Sequence, residues 1–339
     1  MENRKAAVTG ANGQTGSYLC EHLLERGYRV FGIVRRSSTD TTERLTNILN
    51  NPDFELITCD ITDGPGITNI IRTTKCHELY NLAAQSHVGI SFTAAHSTFE
   101  VTGAAIIHQL EAIKQFSPNT HFLQASSSEI FGTNGIETGQ NEDTSFAPQS
   151  PYAAAKTFSE HMVKIYRQAY KLHISSTIAF NHESPRRGLE FVTRKVTNYI
   201  GKLKNGLINE PLKLGNLNAY RDWSHAKDVA AAMHLVTQYK TADTYVVSSG
   251  ETYSVEHFVR LAFKLVDLDW KEHVVIDKNL FRPLEVPFLK GDSTKIRTLL
   301  GWRPNYSFLE LCQEMIDSDI QKYGKKTSKT SQTSPVFQI

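Results

Sequence analysis

Cysteine is scarce in this 339-residue chain: Cys20, Cys59, Cys76 and Cys312 are scattered, with no CxxC pair. Reduced, buried thiols in a cytoplasmic protein are the expectation. The thirteen histidines form no HExxH string and no cluster, so no metal centre is expected. No apolar run reaches the length of a membrane span. The opening Met1-Glu2-Asn3-Arg4-Lys5 leads into an apolar stretch ending at Val8, too short for a signal peptide, so neither membrane nor export is expected. An excess of one charge is also missing: 37 Lys and Arg stand against 35 Asp and Glu. There is therefore no global basic field of the kind that nucleic-acid binding uses. No internal repeat is visible. What remains is ordinary globular composition, 40% hydrophobic and 21% charged, in a chain long enough for one large core or a core with a smaller lobe.

The first half alternates short apolar runs with amphipathic stretches. Ala6 to Val8, Arg29 to Val34, Glu55 to Thr58, Glu78 to Leu82, His121 to Ala125 and Ile174 to Ala179 read as strands. Gly16 to Arg26 reads as a helix, with Leu19, Leu23 and Leu24 on one face. Strand–helix alternation needs crossover connections and so predicts an α/β, Rossmann-type, doubly wound parallel sheet. After about residue 180 the alternation breaks down, and Pro185, Pro211, Pro283, Pro287 and Pro304 punctuate shorter elements. The expected division is a dinucleotide-binding domain over 1–180 that carries the catalytic residues. A mainly substrate-binding lobe follows over 181–324, with some segments returning to the first domain. Residues 325–339, rich in Lys, Ser and Thr, are expected to be a mobile tail.

Gly10, Gly13 and Gly16 fall between the first strand and the first helix in Thr9-Gly10-Ala11-Asn12-Gly13-Gln14-Thr15-Gly16. Glycines there allow a tight turn, close approach of the backbone to a pyrophosphate, and close helix–strand packing, with helix N–H groups aimed at the phosphates. A glycine triplet decides little alone; its place between strand and helix gives it weight. Where an acidic residue would hold the ribose hydroxyls of NAD, this chain has Arg35-Arg36-Ser37-Ser38. Guanidinium groups and hydroxyls suit a 2′-phosphate, and NADP is the expected cofactor.

Tyr152 and Lys156 form a YxxxK pair in a stretch that Pro151 opens as a helix. At i and i+4 the ammonium lies near the phenol and is expected to lower its pKa, making a base for a sugar hydroxyl. The strand ending at Ala125 runs into Ser126-Ser127-Ser128-Glu129. Ser127 is placed to bond the same hydroxyl as Tyr152. Glu129 adds an acid–base group that simple oxidation would not need and an elimination would.

These residues resemble the extended short-chain dehydrogenase/reductase family and, more narrowly, GDP-mannose 4,6-dehydratases, over roughly residues 5 to 320. The glycine turn, Asn81-Leu82-Ala83-Ala84 and YxxxK are general to the superfamily. Gln85-Ser86-His87-Val88, Leu214-Gly215-Asn216-Leu217, Arg221-Asp222-Trp223, Arg282-Pro283-Leu284-Glu285-Val286 and, most sharply, Asn181-His182-Glu183-Ser184-Pro185-Arg186-Arg187-Gly188 are similar to the dehydratases. The resemblance implies cofactor contacts from Gly10, Asn12, Gly13, Gln14, Thr15, Gly16, Arg35, Arg36, Ser37, Ser38, Asp60, Ile61, Leu82, Ala83, Ala84, Gln85, Ser86, Lys156, His182 and Arg187. It implies catalysis by Ser127, Glu129, Tyr152 and Lys156, with Ser127 where a Thr is usual. Ser127, Glu129 and Tyr152, with Ser86, Asn181, Lys195, Arg221 and Arg282, would hold a GDP-sugar. Departures are Thr15 for an Asp, Cys59 for a Gly, and Ser97 near a customary Tyr.

The implied reaction is redox-neutral oxidation, loss of water and reduction of GDP-mannose, giving a 4-keto-6-deoxy sugar with NADP ending as it began. Rival readings are the same chemistry on a GDP-heptose, an NADPH-dependent keto-sugar reductase or epimerase, and a catalytically dead NADP-sensing protein. Assembly into a homodimer or homotetramer is expected from the resemblance.

Overall fold

A computed structural model of the chain describes residues 4–135 and 138–330. Seven strands build the central sheet: β1 (Lys5–Thr9), β2 (Arg29–Val34), β3 (Phe54–Thr58), β4 (Glu78–Asn81), β5 (His121–Ser127), β6 (Ile174–Ala179) and β10 (Thr244–Val247). They lie in the order β10-β6-β5-β4-β1-β2-β3, and every pairing is parallel. β6, covered on both faces, is fully buried and apolar or small throughout as Ile-Ser-Ser-Thr-Ile-Ala. On one face pack α1 (Gln14–Leu24) and α8 (Ala226–Gln238), through Leu19, Leu23, Val229 and Met233. The other face takes α2 (Gly64–Thr74), α5 (Ile106–Phe116) and α6 (Pro151–Tyr170), through Ile67, Ile70, Leu110, Ile113 and Val163. This is the expected doubly wound fold, and its order reverses between β1 and β4, where such sheets open a crevice at the carboxyl ends.

Above that edge sits a second set of elements. β7 (Asn181–Glu183) lies parallel to β9 (Tyr220–His225), which pairs antiparallel with β11 (Thr252–Ser254). β8 (Leu212–Leu214) pairs with β12 (Val274–Ile276). Helices α7 (Val192–Lys204), α9 (Val255–Lys264) and α11 (Phe308–Thr330) share with them a core around Val196, Trp223, Phe258 and Met315. Of the short helices, α3 (Val88–Ser91) and α4 (Ala95–Phe99) pack against α6, and α10 (Thr294–Leu300) packs against β10 with Ile296 in the main-sheet core.

The chain beyond 180 is more regular than its prolines suggested. Among the described residues Pro185, Pro211, Pro283, Pro287 and Pro304 fall between elements, so α7 and α8 run uninterrupted and α11 is described to Thr330. The segment that returns to the main sheet, as one or more were expected to, is the seventh strand, β10. Helix α11 continues to Thr330, and the rest of the expected tail, 331–339, lies outside the described residues. Among the described residues no helix is long and apolar enough to cross a membrane.

Candidate active site

A cleft of about 1220 Å³ runs along the carboxyl edge of the sheet, between the two sets of elements. Its floor begins at the glycine turn. Gly10 has φ +67°, and a Cβ there would sit 3.0 Å from the backbone N and Cα of Ala83. A Cβ on Gly16 would lie 2.2 Å from the Gly10 carbonyl oxygen. The turn is therefore closed to any side chain at either position. No side chain caps the amino terminus of α1, so its first N–H groups face the cleft free to meet an anion. The rest of the floor is tied down from neighbouring strands. Thr9 Oγ1 accepts from the Leu82 and Ala83 N–H groups at 3.1 and 3.2 Å and donates to Asn81 Oδ1 at 2.7 Å. Gln85 N donates to Thr102 Oγ1 at 3.0 Å, within a π-helical turn over Glu100–Ala104.

Gly10, Asn12, Gly13, Gln14, Thr15, Gly16, Asp60, Ile61 and the whole Leu82 to Ser86 segment line the cleft, as do Arg35 and Ser37. Arg36 and Ser38 occupy the same exposed loop but stand off the cleft wall. Residues that sequence reasoning missed sit beside them: Arg44 donates through Nη1 to the Asn12 carbonyl at 3.1 Å, and Thr41 Oγ1 accepts from Asn12 Nδ2 at 2.9 Å.

At the centre of the cleft, β5 ends at Ser127 and a 3₁₀ turn, Ser128–Phe131, carries Glu129 inward and buried. Helix α6 starts opposite, capped by Ser150 Oγ accepting from Ala153 N at 3.1 Å, with Pro151 in its first turn. This start places Tyr152 and Lys156 on the wall; Lys156 Nζ lies 5.9 Å from the Tyr152 ring centroid and donates to the Ala125 carbonyl at 2.6 Å. Burial pushes the Tyr152 phenol up to about 12, against a hydrogen bond with Ser127 and the positive charge of Arg187; Glu129 adds to the rise. Burial also lowers Lys156 to about 8, with Glu160 opposing. The expectation that Lys156 lowers the phenol pKa is thus corrected. Desolvation dominates both groups, and Ser127 and Arg187 are what moderate the phenol.

The Asn181–Gly188 run joins this centre to the glycine turn. His182 Nδ1 donates to the Phe180 carbonyl at 2.8 Å, which leaves Nε2 to accept from Thr15 Oγ1 at 2.9 Å. Burial lowers His182 to about 4, helped by Arg187, so the ring is neutral. Gln14 Nε2 donates to the His182 carbonyl at 2.9 Å and Gln14 Oε1 accepts from Ser184 Oγ at 2.8 Å; Arg186 reaches Ser17 and Glu21 on α1 at 3.0 and 2.7 Å. Arg187 is held from two sides. Its Nε lies 3.3 Å from Glu183 Oε2, and its guanidinium stacks 3.5 Å from the centroid of Phe191. The Phe191 ring in turn packs against His87, with centroids 5.3 Å apart.

Asn181, Lys195, Arg221 and Arg282 line the far end of the cleft. Arg221 and Arg282 share one carboxylate oxygen, Glu285 Oε1, at 2.7 and 3.2 Å, and Arg282 Nη1 also lies 3.9 Å from Glu129 Oε1. Glu285, His87 and Phe191 were not expected as site residues. Glu285 and His87 stood inside quoted runs, but nothing in their spacing says what they touch. Two polar atoms on the wall, Ser126 Oγ and Asn181 Oδ1, are buried without a hydrogen-bond partner. Such groups are costly unless a ligand satisfies them. Among the described residues no group of three or more His, Cys, Asp or Glu side chains is placed to hold a metal ion.

The family described as GDP-mannose 4,6 dehydratase matches residues 7–315. GDP-mannose 4,6 dehydratase 1 of Arabidopsis thaliana is 43% identical over 326 residues, covering 93% of this chain and 90% of the relative. The human GDP-mannose 4,6 dehydratase is 42% identical, covering 93% and 91%, and that of Vibrio cholerae 39%, covering 94% of each. Among solved structures, dTDP-glucose 4,6-dehydratase from Bacillus anthracis in complex with NAD superposes with a TM-score of 0.81 at 20% identity, covering 96% of this chain and 98% of that one. RMD from Pseudomonas aeruginosa complexed with NADPH gives 0.78 at 19% identity, covering 94% and 100%; likeness at this level speaks for the fold. The glycine turn, the buried carboxylate beside the YxxxK pair and the match over nearly the whole length agree, and this chain is a member of the GDP-mannose 4,6-dehydratase family.

Proposed function

We propose that the chain is a hydro-lyase that converts GDP-mannose to GDP-4-keto-6-deoxymannose with NADP as its resident cofactor. The observation that carries this reading is the convergence of Ser127, Glu129 and Tyr152 on one cleft that also runs over the glycine turn, which is closed to side chains at Gly10 and Gly16. The turn and the uncapped start of α1 fit a pyrophosphate. Arg35 and Ser37 on the wall suit the 2′-phosphate. His182 and Arg187 lie toward the reacting end, and Lys195, Arg221 and Arg282 suit the diphosphate of the GDP-sugar. The bound nicotinamide supplies the hydride acceptor and later the donor.

This chain's residues handle the protons. Tyr152 Oη takes the proton of the sugar 4-hydroxyl, while Ser127 Oγ bonds the same oxygen, Arg187 moderates the phenol and Lys156 would hold the cofactor. The resulting ketone acidifies the carbon 5 proton. Glu129 removes that proton and protonates the carbon 6 hydroxyl, which leaves as water. Glu285 holds Arg221 and Arg282 in place before the substrate arrives. The two-lobe division, cofactor below and GDP-sugar above, is part of the same reading.

Purified protein given GDP-mannose and no reductant is expected to yield the keto sugar, seen by mass spectrometry as loss of water. Turnover that consumes NADPH stoichiometrically would instead mark a reductase. Exposed Phe116 and Ile165 on α5 and α6 suit burial against a second copy in a homodimer or homotetramer. The free thiols of all four cysteines suit a reducing cytoplasm.

A further inference from the structure

Helix α6 carries one more buried charge than the chemistry above uses. Glu160 stands one turn beyond Lys156 on the same helix and is fully buried. Its Oε1 accepts from Ser176 Oγ on β6 at 2.8 Å and from Thr244 Oγ1 on β10 at 2.9 Å, while Oε2 has no hydrogen-bond partner. A carboxylate with one orphan oxygen in a dry interior is costly, and an uncharged side chain of similar shape would avoid the cost. Its charge therefore needs a neighbour on which it acts.

Lys156 is that neighbour. It too is buried, and its one hydrogen bond goes to the neutral Ala125 carbonyl. Around it stand Tyr152 and Glu160 on α6 and the neutral His182 on β7, while Glu129 acts on Tyr152. Glu160 opposes the fall in Lys156 pKa that burial causes. The other cation near Glu160 is Arg167, also on α6. It bonds Thr244 Oγ1 at 3.3 Å but pairs outward with Asp243, again at 3.3 Å. Arg167 shares Asp243 with Lys295, which pairs with it at 2.6 Å; among the described residues Lys156 makes no direct ion pair.

We propose that Glu160 is a positioning residue for the reaction, a fixed buried negative charge that keeps Lys156 an ammonium beside Tyr152. Its link to turnover rests on the dehydratase reading, so the first measurement does not use turnover. The chain labelled with ¹³C at lysine Cε is titrated by NMR, with the Lys156 signal identified by its loss in Lys156→Arg. Across one helical turn, removal of a unit charge is expected to lower the Lys156 midpoint by about one pH unit. Glu160→Gln and Glu160→Met both remove the charge, and Met leaves no amide to satisfy, so at least one should fold. Ser176→Ala keeps the charge and removes one of its two donors; its midpoint should stay within about 0.3 pH units of the parent. The high-pH limb of turnover on GDP-mannose should move down with the midpoint in the two neutral variants. An unchanged midpoint in either neutral variant overturns the proposal, as does a drop in Ser176→Ala equal to theirs. Absence of turnover in the parent would sink the dehydratase reading and leave the lysine titration readable.

Discussion

Replacing Glu129 by Gln separates the two halves of the proposed chemistry. Glu129 is buried, so an isosteric amide keeps the packing of the 3₁₀ turn and removes only the acid–base function. Positioned acid–base groups contribute roughly 10²–10⁴-fold. Glu129 acts twice, on the carbon 5 proton and on the departing hydroxyl, so dehydration should slow by about 10³–10⁴-fold, or roughly 4–5.5 kcal/mol. Substrate binding should change little. Arg282, 3.9 Å from Glu129, keeps Glu285 at 3.2 Å and is not left unpaired. The initial oxidation should survive and gain at lower pH, because the Glu129 charge contributes to the high pKa of the Tyr152 phenol. The assay is a rapid quench in deuterated water with mass analysis of the sugar. The parent product should carry solvent deuterium, whereas the variant should build up the 4-keto hexose without losing water. Dehydration within about tenfold of the parent, with deuterium still entering, would refute a role for Glu129 in elimination.

Two further outcomes follow from the geometry. Arg35→Ala should weaken NADP binding by about 10–100-fold, the worth of a charge-assisted contact, and leave NAD binding nearly unchanged; cofactor fluorescence titration measures both, and an equal loss for the two would exclude a 2′-phosphate contact. Lowered from 6.5 to about 4 in the fold, His182 contributes stability that is present above pH 6.5 and lost as the pH falls toward 4, about 3 kcal/mol in all. Denaturant unfolding at a series of pH values should show this loss in the parent and a shallower one in His182→Gln; identical acid limbs would refute it.

Much of the site could be read from residue order, because its parts are local. Strand, glycine turn and helix are contiguous from Lys5 to Leu24, and YxxxK needs only one helix. What escaped depends on distant partners. β10 is a four-residue strand, Thr-Tyr-Val-Val, whose membership of the main sheet rests on pairing with β6 some seventy residues earlier. Glu285 matters because Arg221 and Arg282 converge on one of its oxygens. The Tyr152 phenol was misjudged for a related reason. An i,i+4 spacing reveals the ammonium nearby but not the burial that outweighs it. Arg36 and Ser38, expected beside Arg35 and Ser37 as partners of a 2′-phosphate, lie on the same exposed loop off the cleft wall, which residue order alone does not reveal.

The late arrival of β10 bears on how the protein can be divided and made. The ribosome releases six sheet strands and the first segments of the upper lobe before Thr244–Val247 exists to cover β6. Until then β6 presents a bare edge of unpaired backbone groups, and a fragment ending near residue 180 would keep that edge for good. The nucleotide-binding half is thus not a detachable module. Its last side is closed by sequence that has already passed through the other half.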